Sequence, residues 1–282
     1  MTSSNKNTKI LFTDLDGTLF DDQKNICPKN RNAIKQALLA GHKIVITTGR
    51  PLFSAKKLCE ELHLTEKGCY CICFNGSVIY DCFAQKAVYK KTLSHESVRR
   101  LMDEAQKAHL HSQTYSDTHV ISELSNDDFD QYASICRVAH KTVPDVLKEL
   151  GSNQAAKVLL IGDHEILEQF RIQTLPWREG KIDALFSFDR YLEFVSKDVS
   201  KGNAIKILCD ILDLPLSASI AVGDAENDIS MIQTAHIGAV MVNAPDTIKS
   251  YGNYVTTLDN NHGGVAEIIE RFMLKTDDTS EQ

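Results

Sequence analysis

The stretch Ile10-Leu11-Phe12-Thr13-Asp14-Leu15-Asp16-Gly17-Thr18-Leu19 decides the fold. It is an apolar run that stops at two aspartates one residue apart, followed by glycine and threonine. Both faces of the run are apolar, the pattern of a strand covered on both sides in a parallel sheet. Asp14 is then expected at the carboxyl end of that strand. Asp16 follows just beyond, where Gly17 lets the chain turn. In open α/β sheets, ligands bind in the crevice at those carboxyl ends. Two carboxylates this close repel, so the pair calls for a cation or a shared proton. An Asx turn closing a strand is the plainer reading of the same residues.

Working outward, Pro28 opens a helix in which Ala33, Ile34, Ala37 and Leu38 recur at helical spacing before Gly41. Lys43-Ile44-Val45-Ile46-Thr47-Thr48-Gly49-Arg50-Pro51 is a second β-branched run, ending in hydroxyls and a glycine. A third strand, Cys69 to Phe74, closes at Asn75-Gly76. Strand, helix, strand, helix, strand predicts an α/β fold with a doubly wound parallel sheet. From about Ser77 to Arg190 the pattern changes to hairpins and short helices, an inserted α+β cap. Within it, Ser122 to His140 yields no pattern. The sheet resumes with Leu192 to Val195, and Ser200-Lys201-Gly202-Asn203-Ala204 opens a helix. Ser219 to Val222 then delivers Gly223-Asp224-Ala225-Glu226-Asn227-Asp228. The expected division is therefore 1–76 with 191–282 as core and 77–190 as insert.

Composition sets bounds on partners. The 282 residues are 43% hydrophobic, enough for a full core, and carry a net charge of −7. That balance argues against binding nucleic acid, which needs a basic face. No apolar run reaches the roughly 18 residues of a membrane span, and no membrane partner is expected. Met1 to Thr8 is polar, without a signal-type apolar segment, and reads as a short disordered leader. Thr276 to Gln282 reads as a frayed end. Eight cysteines in a chain with no export signal point to reduced thiols and a cytoplasmic protein. Cys69, Cys71 and Cys73 alternate along one strand face, a spacing unlike zinc pairs, and read as small buried hydrophobes. His109, His111, His119, Cys136 and His140 match no metal-site spacing either.

Four polar clusters fall at strand ends or a helix start: Asp14/Asp16/Thr18, Thr47/Thr48/Gly49, Lys201 and Asp224/Asn227/Asp228. They supply carboxylates for a hard cation, a hydroxyl and amides for an oxyanion, and one ammonium. That inventory suits phosphoryl transfer, where catalysis is mostly positioning and charge neutralisation. Alternation sets Thr47 between layers and Thr48 toward the crevice. Asp228 is readable as a helix-start carboxylate, and Arg50 as either a substrate contact or a solvated residue.

In order, Asp14-Leu15-Asp16-Gly17-Thr18, Thr48-Gly49-Arg50, Lys201 and Gly223-Asp224-Ala225-Glu226-Asn227-Asp228 resemble the four motifs of the haloacid dehalogenase superfamily. The insert, Asn75-Gly76-Ser77 and Met241-Val242-Asn243-Ala244 resemble the Cof-type subclass IIB, although Val242 stands where that subclass often has glycine. The resemblance implies a Mg²⁺-dependent phosphoric monoester hydrolase, a phosphatase for small phosphorylated metabolites such as sugar phosphates or nucleotide-like cofactors. Asp14 is the implied nucleophile, forming an aspartyl-phosphate, and Asp16 the acid and base. Mg²⁺ is held by Asp14, the Asp16 main-chain carbonyl and Asp224, with Asp228 fixing the metal's waters or Lys201. Thr48, Gly49, Lys201 and Asn227 bind the phosphoryl oxygens, and Thr18 holds the turn. Tyr115, Asp117, His119 and Lys157 are cap candidates to face substrate. A sugar phosphomutase and a non-catalytic phosphate-binding regulatory module are the alternatives. The oligomeric expectation is a monomer or small homo-oligomer.

Overall fold

A computed structural model describes residues 8–66 and 69–274. The expectations for the leader at 1–7 and the end at 275–282 lie outside the described residues. Among the described residues, fourteen strands are present in chain order: β1 (Ile10–Thr13), β2 (Lys43–Thr47), β3 (Tyr70–Cys73), β4 (Val78–Asp81), β5 (Lys86–Lys90), β6 (His111–Tyr115), β7 (Val120–Ser122), β8 (His140–Thr142), β9 (Lys157–Ile161), β10 (Ile182–Phe188), β11 (Tyr191–Ser196), β12 (Ser219–Gly223), β13 (Ile237–Val240) and β14 (Tyr254–Val255). They form an eight-stranded sheet, β14-β13-β12-β1-β2-β3-β4-β5, and a six-stranded sheet, β10-β11-β9-β6-β7-β8.

The opening run behaves as its composition requires. β1 pairs in parallel with β2 on one side and β12 on the other, with Phe12 opposite both Val45 and Ala221. All four of its side chains are buried. Ile10 and Phe12 pack with Ile205 and Leu208 of the helix Lys201–Ile211. Leu11 faces the opposite layer, with Ala33, Ala37 and Ile268. Helices thus cover both faces, which is why the run does not alternate polar and apolar. Each large side chain so buried contributes about 1.5–3 kcal/mol.

The larger sheet is parallel from β14 to β3 and turns antiparallel at β4 and β5. This is where the expected boundaries move. The hairpin Val78–Lys90, expected in the insert, extends the larger sheet through β3. Strand β11, expected to return to the larger sheet, instead pairs antiparallel with β9 and β10 in the smaller one. The sheets therefore change hands between β5 and β6 and again after Ser196. A hairpin's periodicity shows that two strands pair, not which sheet receives them.

The smaller sheet has its own apolar core, including Val98, Leu101, Leu160 and Phe194. The unreadable segment contains the helix Asp127–Cys136. Its start carries a signal that was there to use: Asn126 accepts a hydrogen bond from the Phe129 amide, and Asp127, Asp128 and Asp130 fill the first turn. No helix among the described residues is long and apolar enough to cross a membrane.

Candidate active site

The sheet order places the carboxyl ends of β12, β1, β2 and β3 side by side. Asp224, Asp14, Thr48 and Phe74-Asn75 follow those four ends in turn. Residues more than two hundred positions apart thereby meet.

Asp14 is 7% exposed, and its amide donates to the Val222 carbonyl at 3.0 Å. The fully buried Lys201 ammonium donates to Asp14 Oδ1 and, at 2.6 Å, to Asp228 Oδ1. Lys201 is the first residue of its helix, and Ser200 caps that helix by accepting from the Asn203 amide. Gly76, at φ 105°, lies so close to the Ser200 carbonyl that no Cβ could stand there. The β3 turn thus seats the lysine. The other Asp228 oxygen accepts from the amides of Asp224 and Ala225 at 2.9 and 3.0 Å. Both Asp228 oxygens are spent, so it positions Lys201 and the Asp224 loop rather than meeting a ligand.

Thr18 does more than hold a turn. Its hydroxyl donates to Asp224 Oδ1 at 2.6 Å. Gly17, at φ 81°, packs against the same carboxylate where a side chain would collide. Among the described residues, Oδ2 of Asp14 and Oδ2 of Asp224 have no hydrogen-bond partner. Asp14, Asp224 and Asp228 bring carboxylate oxygens within 4.8 Å of one another. Burial, reinforced by Asp228, pushes Asp224 up to about 7. Burial also raises Asp14 well above the usual carboxylate range, against the pull of Lys201. Burial works against the Lys201 charge, but Asp14 and Asp228 outweigh it and hold the ammonium protonated. Three carboxylates face one ammonium here, and the two free oxygens carry an excess of negative charge. That donor set of hard oxygens fits a divalent cation such as Mg²⁺.

Asp16 has a different environment. Arg50 grips it through two bonds of 2.7 Å, and Lys24 adds a third at 2.7 Å. Burial alone would raise its carboxyl, but Arg50 and Lys24 hold it below the ordinary value. Arg50 is therefore neither solvated nor free; its side chain is 12% exposed. Lys24 is a contact that sequence reasoning missed, because a lysine in a polar loop carries no periodicity or spacing signal. Thr48 Oγ1 accepts from the Arg50 amide at 3.1 Å, while the Asn75 amide donates to the Thr48 carbonyl at 3.1 Å. Thr47 is fully buried between layers, and its hydroxyl has no partner.

The smaller sheet closes the crevice. Lys157 and Glu193, on neighbouring strands β9 and β11, form a buried pair at 2.8 Å. Lys157 also donates to the Gly49 carbonyl at 2.8 Å. Glu193 accepts from Asn75 Nδ2 at 2.5 Å and Ser187 Oγ at 2.8 Å. Asn75 Oδ1 in turn accepts from Asn227 Nδ2 at 2.9 Å. One chain of hydrogen bonds thus runs from the Thr48-Gly49 turn through the smaller sheet to the β12 loop. Asp14, Asp16, Thr48, Gly49, Arg50 and Asn227 share a cavity with Tyr132, Cys136, Lys157 and Glu193. Its volume is about 60 Å³. That is small against the roughly 300–1,000 Å³ of an ordinary ligand pocket. The sheets are closed on one another, and a ligand of ordinary size needs them to part.

Of the cap candidates, only Lys157 reaches this cavity. Tyr115 and Asp117 line a separate cavity of about 620 Å³ beside Lys56, Lys86 and Asn153, which contains none of the motif residues. His119 is held by Thr118 at 2.8 Å outside both. Among the described residues, the histidines join no metal-ligating group.

A sequence profile described as haloacid dehalogenase-like hydrolase matches residues 11–269. A solved haloacid dehalogenase-like hydrolase from Bacteroides thetaiotaomicron superposes with a TM-score of 0.86 at 31% identity, covering 94% of this chain and 99% of that one. The 5-amino-6-(5-phospho-D-ribitylamino)uracil phosphatase YwtE of Bacillus subtilis is 28% identical over 297 residues, covering 94% of this chain and 98% of that protein. Phosphatase YwpJ, also of Bacillus subtilis, is 26% identical over 289 residues, covering 94% and 100%.

Proposed function

We propose a chemistry for a chain that belongs to the haloacid dehalogenase-like hydrolases, of the Cof type: it is a Mg²⁺-dependent phosphatase of small phosphorylated metabolites, acting through an aspartyl-phosphate on Asp14. One observation carries the proposal. Asp14 is held by Lys201 through one oxygen, and its other oxygen is uncommitted at the mouth of a crevice lined by Thr48, Gly49 and Asn227.

In this reading Asp14 Oδ2 attacks phosphorus and the ester oxygen leaves. Lys201, Thr48 Oγ1 and the Gly49 amide bind the phosphoryl oxygens, and Asn227 faces them. Asp14, the Asp16 carbonyl and Asp224 would hold Mg²⁺, which would supply charge neutralisation for the transferring group. Asp16 protonates the leaving alcohol and then takes a proton from the water that cleaves the acyl phosphate. Gripped as it is here, Asp16 is a carboxylate and a poor acid. The grip has to loosen, and a substrate drawing Arg50 away would let Asp16 protonate. The smaller sheet acts as the cap that admits the leaving group.

The test is turnover of a phosphate-ester panel with Mg²⁺ and with EDTA. The panel includes hexose phosphates, nucleotides and 5-amino-6-(5-phospho-D-ribitylamino)uracil, the compound in the name of YwtE. Mg²⁺-dependent release of phosphate that Asp14→Asn abolishes is the expected result. Undiminished turnover by a folded Asp14→Asn protein would sink the nucleophile assignment.

A further inference from the structure

Five of the eight cysteines, Cys59, Cys69, Cys71, Cys73 and Cys82, pack into the core layer beneath the helix Leu52–Glu61. Three of them converge. The sulfurs of Cys59 on that helix, Cys71 on β3 and Cys82 just after β4 all lie within 4.8 Å of one another. Their exposures are 1%, 0% and 3%. Among the described residues no carboxylate or imidazole joins the group. All eight cysteines are free thiols.

We infer that Cys59, Cys71 and Cys82 form a binding site for one soft cation, Cu(I) by its donor set, between the helix Leu52–Glu61 and the strands β3 and β4. Thiols used only as small hydrophobes need no common focus, and these arrive at one from three separate elements. A metal bonded to sulfur at about 2.3 Å holds three coplanar sulfurs roughly 4 Å apart. The observed group is within a small adjustment of that spacing. Soft thiolates select Cu(I), zinc or iron–sulfur clusters, and the last two take four ligands in a tetrahedron. Cys73 lies 3.7 Å from Cys71, sulfur to sulfur, but stays outside the three-sulfur group. Three sulfurs and no fourth donor favour a three-coordinate ion.

Metal uptake releases the thiol protons of Cys59, Cys71 and Cys82 and changes no oxidation state. Cys82 sits in the hairpin turn after β4, where Gln85 donates to its carbonyl at 2.6 Å. Local spacing hides this site, because Cys59 and Cys82 lie outside the alternating Cys69-Cys71-Cys73 run.

The experiment uses the full reduced chain under nitrogen, with the Cu(I)–bicinchoninate complex as probe. Loss of the complex's colour should show one Cu(I) withdrawn per chain, and copper X-ray absorption should show three sulfurs. Cys59→Ala and Cys82→Ser should each weaken uptake by about 10- to 100-fold or more. Cys27→Ser, away from the cluster, should not. No withdrawal of copper, uptake unchanged in both cluster variants, or retention of Zn²⁺ in place of Cu(I) would each overturn the assignment. If the variants fail to fold by circular dichroism, the wild-type absorption spectrum decides alone. A shell with fewer than three sulfurs, or with nitrogen or oxygen in it, is then the overturning result.

Discussion

Among the described residues the protein buries two lysines against carboxylates, Lys201 beside the larger sheet and Lys157 in the smaller sheet, and the two sites teach different things. Lys201, at the start of a helix packed on the larger sheet, bridges Asp14 and Asp228. Its neighbours carry more negative charge than it can neutralise, and two carboxylate oxygens are left over for a ligand. Lys157 meets a single carboxylate, Glu193, and spends another bond on the Gly49 carbonyl across the crevice. Its charge is balanced, and its work is to join the two sheets. The first lysine belongs to the proposed reaction centre and the second to a clasp.

The largest blow to the first site comes from Asp14→Asn or Lys201→Met. Each should lower turnover of p-nitrophenyl phosphate by roughly 1,000-fold or more. Lys201→Met also strands two buried carboxylates, at a stability cost of about 3–5 kcal/mol by urea denaturation. A folded Lys201→Met protein with near-normal turnover would erase the distinction between the two lysines. Chelation comes next. Because the first site carries excess negative charge, EDTA should slow turnover by roughly 100-fold, and added Mg²⁺ should restore it. EDTA-resistant turnover would show that Lys201 alone suffices.

The clasp is tested more gently. Lys157→Met leaves Glu193 buried and unpaired, which should cost about 3 kcal/mol. It should also reduce kcat/KM by roughly 10-fold through looser closure. Lys157→Met with Glu193→Leu should regain most of the stability without regaining kcat/KM. If the double variant recovers both, the pair plays no part in closure. The smallest effect is expected from Lys24→Ala. Removing one cation from Asp16 raises its carboxyl toward the ordinary value, so more of it is protonated at neutral pH. The high-pH limb of kcat/KM for an alkyl phosphate should shift upward, with a gain of roughly 3-fold near pH 7. An aryl ester such as p-nitrophenyl phosphate, whose leaving group needs little acid help, should change less. Equal changes for both esters would detach Lys24 from proton transfer.

The two sites also differ in how far the sequence reveals them. Asp14, Thr48, Lys201 and Asp224 stand where apolar runs end or a helix begins, and those punctuation marks are local. The pairing of Lys157 with Glu193 is not local. The two sit inside strands that read as apolar runs, thirty-six positions apart, and only the β9–β11 pairing brings them within reach, diagonally across the two strands. The same limit misplaced β4, β5 and β11, whose patterns declare a strand and leave its partner unstated. Asp16 shows a third kind of limit. Its position was legible, but its grip by Lys24 and Arg50 depends on two side chains reaching in from a loop and a helix start. Thr18 reads as a turn residue in the sequence because its partner, Asp224, lies 206 positions away.

β1 is flanked by β2 and β12, one neighbour made early and the other very late in synthesis. A ribosome has to finish about four fifths of the 282 residues before Asp14 can meet Asp224, so a growing fragment that stops short of Asp224 lacks half of the proposed carboxylate pair. The long closure between β1 and β12 also makes assembly of the sheet slow relative to the local hairpins of the cap. Phosphatase activity in this protein then reports that β12 has joined β1. Two separately expressed pieces, cut between Ser196 and Ser219, should each be silent until mixed.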